Sequence, residues 1–288
     1  MDPNTFIAPP GQAIRLADHD SGFTGHFSHK KEAEKQLADD LKRLQSLQDV
    51  FYAQDNYSLL IILQAPDAAG KDGAIKHVMS GVNPQGCQVF SFKKPSDEEL
   101  DHDFLWRCMI RLPERGRFGI FNRSYYEEVL VVRVHPAILD GQKLPPSRRG
   151  PDVWQNRFED INHFEKYLVR NGIIILKFFL HLSKEEQKKR FLSRIETPEK
   201  NWKFSTADTK ERGHWDAYQA AYEDCFSHTS TEWAPWHIIP ADHKWFTRAA
   251  IADVIVSKLE SLNLAYPTLS EAQQANLQQA RQALLSEA

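Results

Sequence analysis

Ala65-Pro66-Asp67-Ala68-Ala69-Gly70-Lys71-Asp72 brings together small residues, a Gly-Lys pair and two carboxylates. Small side chains let backbone N–H groups approach an anion, and a lysine at a helix start adds a full positive charge. The chemistry on offer is phosphate binding. The phosphate-loop pattern G-x-x-x-x-G-K-[ST] would put Gly at 65 and Ser or Thr at 72, where this chain has Ala65 and Asp72. On spacing alone, a strand–turn–helix corner with a chance Gly-Lys fits as well. A carboxylate about 4 Å from a phosphate repels it by about 4 kcal/mol at an effective dielectric of about 20. Phosphate held beside Asp67 and Asp72 therefore calls for a bridging divalent cation, and magnesium is the expected one.

Two further groups could serve the same chemistry. Asn122-Arg123-Ser124 is a polar cluster at the exit of the short apolar run Arg117 to Asn122, and ligands of open α/β sheets sit beyond the carboxyl ends of strands. A helix cap at Ser124 is the competing explanation. Lys188, Lys189, Arg190 and Arg194 follow the most apolar run of the chain, on the exposed side of a helix that could close over phosphates. A solvated charged face would look the same.

These groups need elements to hold them. Leu59 to Leu63 reads as a buried strand ahead of the loop, with a helix opening at Lys71. Upstream, Leu37, Leu41, Leu44 and Leu47 stripe a helix from about Lys31 to Gln54. Cys87 to Phe92, Arg117 to Asn122, Ile173 to Leu180 and Trp236 to Pro240 supply four more strands. Ser96 with Glu99, and Ser183 with Glu186, read as capping boxes. The first opens a helix carrying Leu100, Phe104, Leu105, Met109 and Leu112. Residues 136 to 151 read as a surface loop, Pro151 to Arg170 as a helix, Ser205 to Cys225 as another, and Lys244 to Leu262 as a further one. Strands alternating with helices predict an α/β fold, a mostly parallel five-stranded sheet with helices on both faces. Three parts are expected: an irregular arm over 1–30, the domain over 31–265 with a helical lid at about 184–225, and a helical tail over 266–288 that caps the domain or meets a partner.

The net charge of −3 means that any polyanion must be held by a local basic surface. Apolar content of 41% and charged content of 26% are those of an ordinary soluble globular protein. Cys87, Cys108 and Cys225 are odd in number and lack metal-type spacing, which fits a reducing cytoplasm. The start MDPNTFIAPP lacks the basic-then-apolar order of a signal peptide. The run Ile173 to Leu182, interrupted by Lys177 and His181, is too short to span a bilayer. With no nucleic-acid motif and no repeat, neither nucleic acid nor membrane is an expected partner.

The ordered set APDAAGKDG, HVMSGVNPQGCQVFSFKKPS, EELDHDFLWR, FNRSYYEEVLVVRVHP, KFFLHLSKEEQKKR, KNWKFS and PADHKW closely resembles the polyphosphate kinase 2 family, from about residue 30 to residue 260. Glu127-Glu128 after Tyr125-Tyr126 resembles the class III branch, whose members phosphorylate both nucleoside mono- and diphosphates. The resemblance implies a P-loop kinase fold with a helical lid. It implies transfer of the terminal phosphoryl group of inorganic polyphosphate to AMP or ADP, giving ADP or ATP, with Mg2+. By the same resemblance Asp67 is an essential acid, and Lys71 and Arg123 contact phosphates. Ala68, Ala69, Gly70, Asp72, Gly73, Lys93 and Asn122 line the phosphate and nucleotide site. Lys188, Arg190 and Arg194 belong to the basic lid. Many members carry Asp where Asn122 stands, and this departure places the metal on Asp67. Glu127 is the position to test for acceptor choice, and a homodimer or homotetramer is expected from family habit.

The chemistry agrees on independent grounds. A phosphate oxygen acting as acceptor is largely ionised at neutral pH, so no strong general base is needed, and no His stands beside the loop except His77, a turn or more into the helix. Asp67 reads as a magnesium ligand or orienting group first and a proton acceptor second. Two other readings stay open: an ATP-dependent nucleotide kinase, and a non-catalytic nucleotide- or polyphosphate-binding protein on a decayed loop, motivated by Ala65 and Asp72.

Overall fold

Alternation along five strands sorts the apolar residues onto two faces of one sheet. In the computed structural model, which describes residues 1–287, the strands are β1 (Ser58–Gln64), β2 (Cys87–Ser91), β3 (Phe118–Asn122), β4 (Ile173–His181) and β5 (Trp236–Pro240). They pair in the order β2-β3-β1-β4-β5, every pair parallel. Leu59, Ile61 and Leu63 of β1, with Phe118, Ile120, Ile174, Leu176 and Phe178, join the core on one face. There the helix Lys30–Gln54 packs against the helix Lys244–Glu260. Leu60, Ile62, Phe121, Ile175 and Phe179 join the opposite core, with the helices Val153–Arg170 and Trp215–Thr229. Burial of each such side chain is worth about 1.5–3 kcal/mol. β1 and β4, covered on both faces, read as near-continuous apolar runs for that reason. The α/β fold and its parallel five-stranded sheet match the expectation.

Several elements differ in detail. The helix expected to open at Ser96 keeps its capping box but lasts only Asp97–Leu100, and a separate turn, Trp106–Met109, follows. Asp103 Oδ1 accepts from Leu105 N at 2.9 Å, a local bond that starts the second turn and interrupts the helix. The segment expected as loop holds a short helix, Pro136–Asp140, and a 3-10 turn, Pro146–Arg148. The helix capped by Ser205 stops at Gly213, giving Thr206–Arg212 and then Trp215–Thr229, as glycine's low helix propensity favours. At Ser183 only half the box forms. Ser183 Oγ accepts from Glu186 N at 3.1 Å, while Glu186 Oε1 accepts from Arg190 Nε at 2.9 Å instead.

The first thirty residues form 3-10 turns at Pro3–Phe6 and Leu16–Asp18, yet bury Phe6, Ala8, Ile14, Leu16 and Phe27. They are part of the packed body. The C-terminal helix Glu271–Leu285 buries no residue, so it does not cap the domain. Among the described residues, no helix is long and apolar enough to cross a membrane.

Candidate active site

β1 and β3 run side by side to their carboxyl ends, with Leu63 opposite Asn122. The loop leaving β1 therefore meets Asn122-Arg123 leaving β3, at the crevice where open α/β sheets hold ligands. The loop delivers its chain into the helix Lys71–Val78. Gly70 reaches that helix with φ 110°, a conformation that a Cβ would strain.

Two non-glycine residues at this crevice, Ala68 and Arg123, also have left-handed backbones, each with φ 65°. Such a conformation costs about 1 kcal/mol or more per residue, and neighbouring groups hold it in place. Arg123 N donates to Leu63 O at 3.0 Å. Gln187 Nε2 donates to Asp67 O at 3.0 Å. Arg190 Nη1 donates to Ala68 O at 3.1 Å and Ala69 O at 2.7 Å, while its Nη2 donates to Ala241 O at 2.6 Å and Asp242 O at 3.0 Å. Arg190 is 6% exposed, so it is not on the solvent side of its helix. It is a strut that joins the loop to the segment after β5.

Around the loop, charges of both signs interlock. Lys71 Nζ donates to Ala65 O at 2.8 Å. Arg123 Nη2 lies 3.1 Å from Asp67 Oδ1, and Asn122 Nδ2 donates to Asp72 Oδ1 at 2.7 Å. Burial pushes the Lys71 ammonium below its ordinary value and Arg123 pushes it further, against Asp67, Glu127 and Asp72. Burial likewise raises the Glu127 carboxyl, against the pull of Arg123 and Lys71. Gln64 fixes Glu127: with its amide oriented to satisfy its neighbours, its nitrogen donates to Glu127 Oε1 at 2.8 Å and its oxygen accepts from Ser124 N at 3.1 Å.

A cleft of about 1340 Å³ opens over the loop. Nine basic side chains line it against four acidic ones, in a chain whose net charge is −3. Asp67, Ala68, Ala69, Gly70, Lys71, Asp72, Gly73, Lys93, Asn122, Arg123, Arg190 and Arg194 are in its wall. Lys188 is exposed and outside it: on this helix Lys189 and Arg194 reach the cleft and Lys188 points elsewhere. Glu127 is also outside the wall, behind Arg123 and Lys71. Lys200, Trp202, Lys244 and Arg248 also line the cleft and were not foreseen. Lys200 and Lys244 stand in the motifs KNWKFS and PADHKW, which was the available signal.

Asp67 and Asp72 present hard oxygen donors to this space, and among the described residues no His or Cys lines it. That donor set suits a magnesium-like ion.

Beneath the site, the segment after Arg123 is anchored by a buried network. Lys177, fully enclosed on β4, donates to Glu165 Oε2 at 2.6 Å, Thr229 O at 2.7 Å and the Tyr126 hydroxyl at 2.9 Å. Glu165 Oε1 accepts from the Tyr125 and Tyr126 hydroxyls at 2.9 and 2.7 Å. All three ammonium protons are used, as a buried charge requires.

The model of the polyphosphate kinase 2 family matches residues 27–267. A protein of Rhodopseudomonas palustris named ADP-polyphosphate phosphotransferase is 51% identical, over 97% of this chain and 97% of its own. The AMP/ADP-polyphosphate phosphotransferase of Meiothermus ruber is 44% identical, over 91% of this chain and 94% of its own. A crystal structure of polyphosphate kinase 2 from Arthrobacter aurescens superposes with a TM-score of 0.87 at 38% identity, covering 100% of this chain and 98% of that one.

Proposed function

The chain belongs to the polyphosphate kinase 2 family, and we propose on that footing that it is a kinase moving the terminal phosphoryl group of inorganic polyphosphate to AMP and ADP. The observation that carries this reading is the basic cleft beside the loop. A protein of net charge −3 concentrates cationic side chains along one groove, as binding of a long polyanion demands.

In the transfer, an oxygen of the acceptor's terminal phosphate forms a bond to the terminal phosphorus of polyphosphate. The bridging P–O bond behind that phosphorus breaks, and the shortened chain leaves with the negative charge. No proton need move, because the attacking oxygen is ionised. Catalysis is then positioning and charge neutralisation. We assign Lys71 and Arg123 to the transferred group, and the backbone N–H groups of Ala68 to Gly73 to the phosphates flanking it. Lys93, Lys189, Arg194 and Lys200 would hold the polyphosphate, with the helices from Lys184 to Arg212 acting as a lid. Arg190 supports the loop rather than the substrate. Asp67, with Asp72, would hold Mg2+, which when bound neutralises phosphate charge beside the carboxylates. Glu127, set back behind Arg123, would favour the shorter acceptor. With AMP there is room for its charge, whereas an ADP phosphate brought closer is repelled unless cation or water intervenes. The three free cysteines fit action in a reducing cytoplasm.

Incubation with AMP, Mg2+ and one donor at a time tests this reading. ADP and then ATP should appear with long-chain polyphosphate. Product with ATP as the only effective donor would make the protein an ordinary nucleotide kinase, and no turnover with either donor would make it a binding protein.

A further inference from the structure

The strongest group of metal-ligating side chains outside the cleft is His135, Glu211 and His214. Their ligand atoms all lie within 4.8 Å of one another, and none of the three lines the cleft. We propose that they form a binding site for a transition-metal dication of zinc's class. Such an ion would clasp the returning limb of the lid to the body of the protein.

Three elements bring the ligands together. His135 ends the short helix Val131–Val134 and precedes Pro136–Asp140. Glu211 is in the helix Thr206–Arg212, and His214 stands just before Trp215–Thr229, across the break at Gly213. Glu211 and His214 are three residues apart, the spacing that sets two side chains on one helix face, and across the break at Gly213 their ligand atoms still lie together with that of His135. His135 Nε2 is 2.6 Å from Glu211 Oε1 and 3.0 Å from Oε2. The His135 and His214 rings meet edge to face with centroids 4.8 Å apart.

A hydrogen bond between His135 and Glu211 accounts for that pair but gives no role to the second imidazole. Two imidazoles and one carboxylate make the three-ligand set of an open tetrahedral site, with a fourth position for water or an anion. Nitrogen donors of this kind select zinc, cobalt or nickel over magnesium. The carboxylate also has an outer partner: Glu211 Oε1 accepts from the Tyr218 hydroxyl at 3.2 Å, the support that orients metal-binding carboxylates. Its only basic neighbour within ion-pair distance among the described residues is His135.

The placement gives the ion a mechanical role. Arg212, next to Glu211, donates through Nη1 to Lys184 O at 2.7 Å and Gln187 Oε1 at 2.8 Å. Gln187 in turn holds the loop at Asp67 O. An ion at His135, Glu211 and His214 thus anchors the helix that braces the first turn of the lid. The lid role rests on the function proposed above; the ligand set does not.

The test is titration of the untagged full-length protein with Co2+ in excess Mg2+, which occupies sites built from oxygen alone. One equivalent of Co2+ should give the strong visible absorption of a four-coordinate ion with imidazole ligands, and Zn2+ should abolish it by displacement. His214→Ala, at an exposed position, should weaken binding at least tenfold, and His135→Ala should do the same. Zn2+ should raise the melting temperature of the wild type and leave His214→Ala unmoved. Absence of the visible band, or a band and a thermal shift unchanged in His214→Ala, would overturn the site. Neither readout involves polyphosphate or nucleotide, so it stands or falls apart from the proposed reaction.

Discussion

Asp67 and Glu127 are acids that share the same two cations, Lys71 and Arg123, and their surroundings differ. Asp67 is in the cleft wall and pairs with Arg123, where the proposed reaction would place a cation and its phosphates. Glu127 is set back, held by Gln64, with its carboxyl raised by burial. Its ionised form is the one that can act on acceptor choice. Replacing Glu127 with Asn should shift the AMP-to-ADP ratio of kcat/KM about tenfold toward ADP, or about 1.4 kcal/mol of selective transition-state binding. Steady-state rates with both acceptors decide it, and equal losses would remove Glu127 from acceptor choice. Because the Glu127 carboxyl takes up its proton above the ordinary value of 4.5, the preference for AMP over ADP should begin to fall at a pH above that value as acid is added. Glu127→Asn should lose that limb.

At the scale of elements, the helix Lys184–Glu196 divides its basic residues between two tasks. Lys189 and Arg194 face the cleft, while Arg190 turns inward to four carbonyls. A lysine cannot reproduce a planar guanidinium bonded on both sides. Arg190→Lys should therefore lower kcat at least tenfold through loss of loop geometry, with little change in KM for polyphosphate. Lys189→Ala should instead raise that KM and reduce its salt dependence. A shared KM effect in both variants would return Arg190 to the substrate.

This division also marks where the sequence could be read and where it could not. β1, β4 and the parallel sheet were legible because burial on both faces writes apolar runs directly into the chain. The site's floor was legible because β1 and β3 must end together in such a sheet. The inward turn of Arg190 was not, since its partners are backbone carbonyls from Ala68 to Asp242 that leave no side-chain signature. Lys177 looked like an interruption of an apolar run, because its partners Glu165, Tyr126 and Thr229 lie on other elements. Gly213 and Asp103 broke helices whose apolar spacing, taken alone, continued through them.

Across the whole molecule, burial of His237 on β5 couples the fold to pH. Burial lowers its pKa from 6.5 to about 4, and its Nδ1 lies 3.2 Å from Lys177 O. The folded protein holds this imidazole neutral while the unfolded chain protonates it near 6.5. Unfolding thus takes up protons as pH falls through this window, and stability drops between about pH 6.5 and 4, by up to about 3 kcal/mol. His237→Asn, which keeps a donor for Lys177 O, should show a smaller loss of urea midpoint between pH 7 and 4.5 than the wild type. Identical losses would assign the acid sensitivity elsewhere.

In the proposed reaction, the cleft over the loop at the ends of β1 and β3 carries phosphoryl groups from polyphosphate to nucleotide, with Lys71 at the transferred group. The most direct measurement follows terminally labelled polyphosphate as its label passes to AMP, in the wild type and in Lys71→Met with matched melting temperatures. Label should arrive at the β-phosphate of ADP in the wild type. The variant should be slower by about a thousandfold, or about 4 kcal/mol of barrier. A folded Lys71→Met protein that transfers label within about threefold of the wild-type rate would contradict the account.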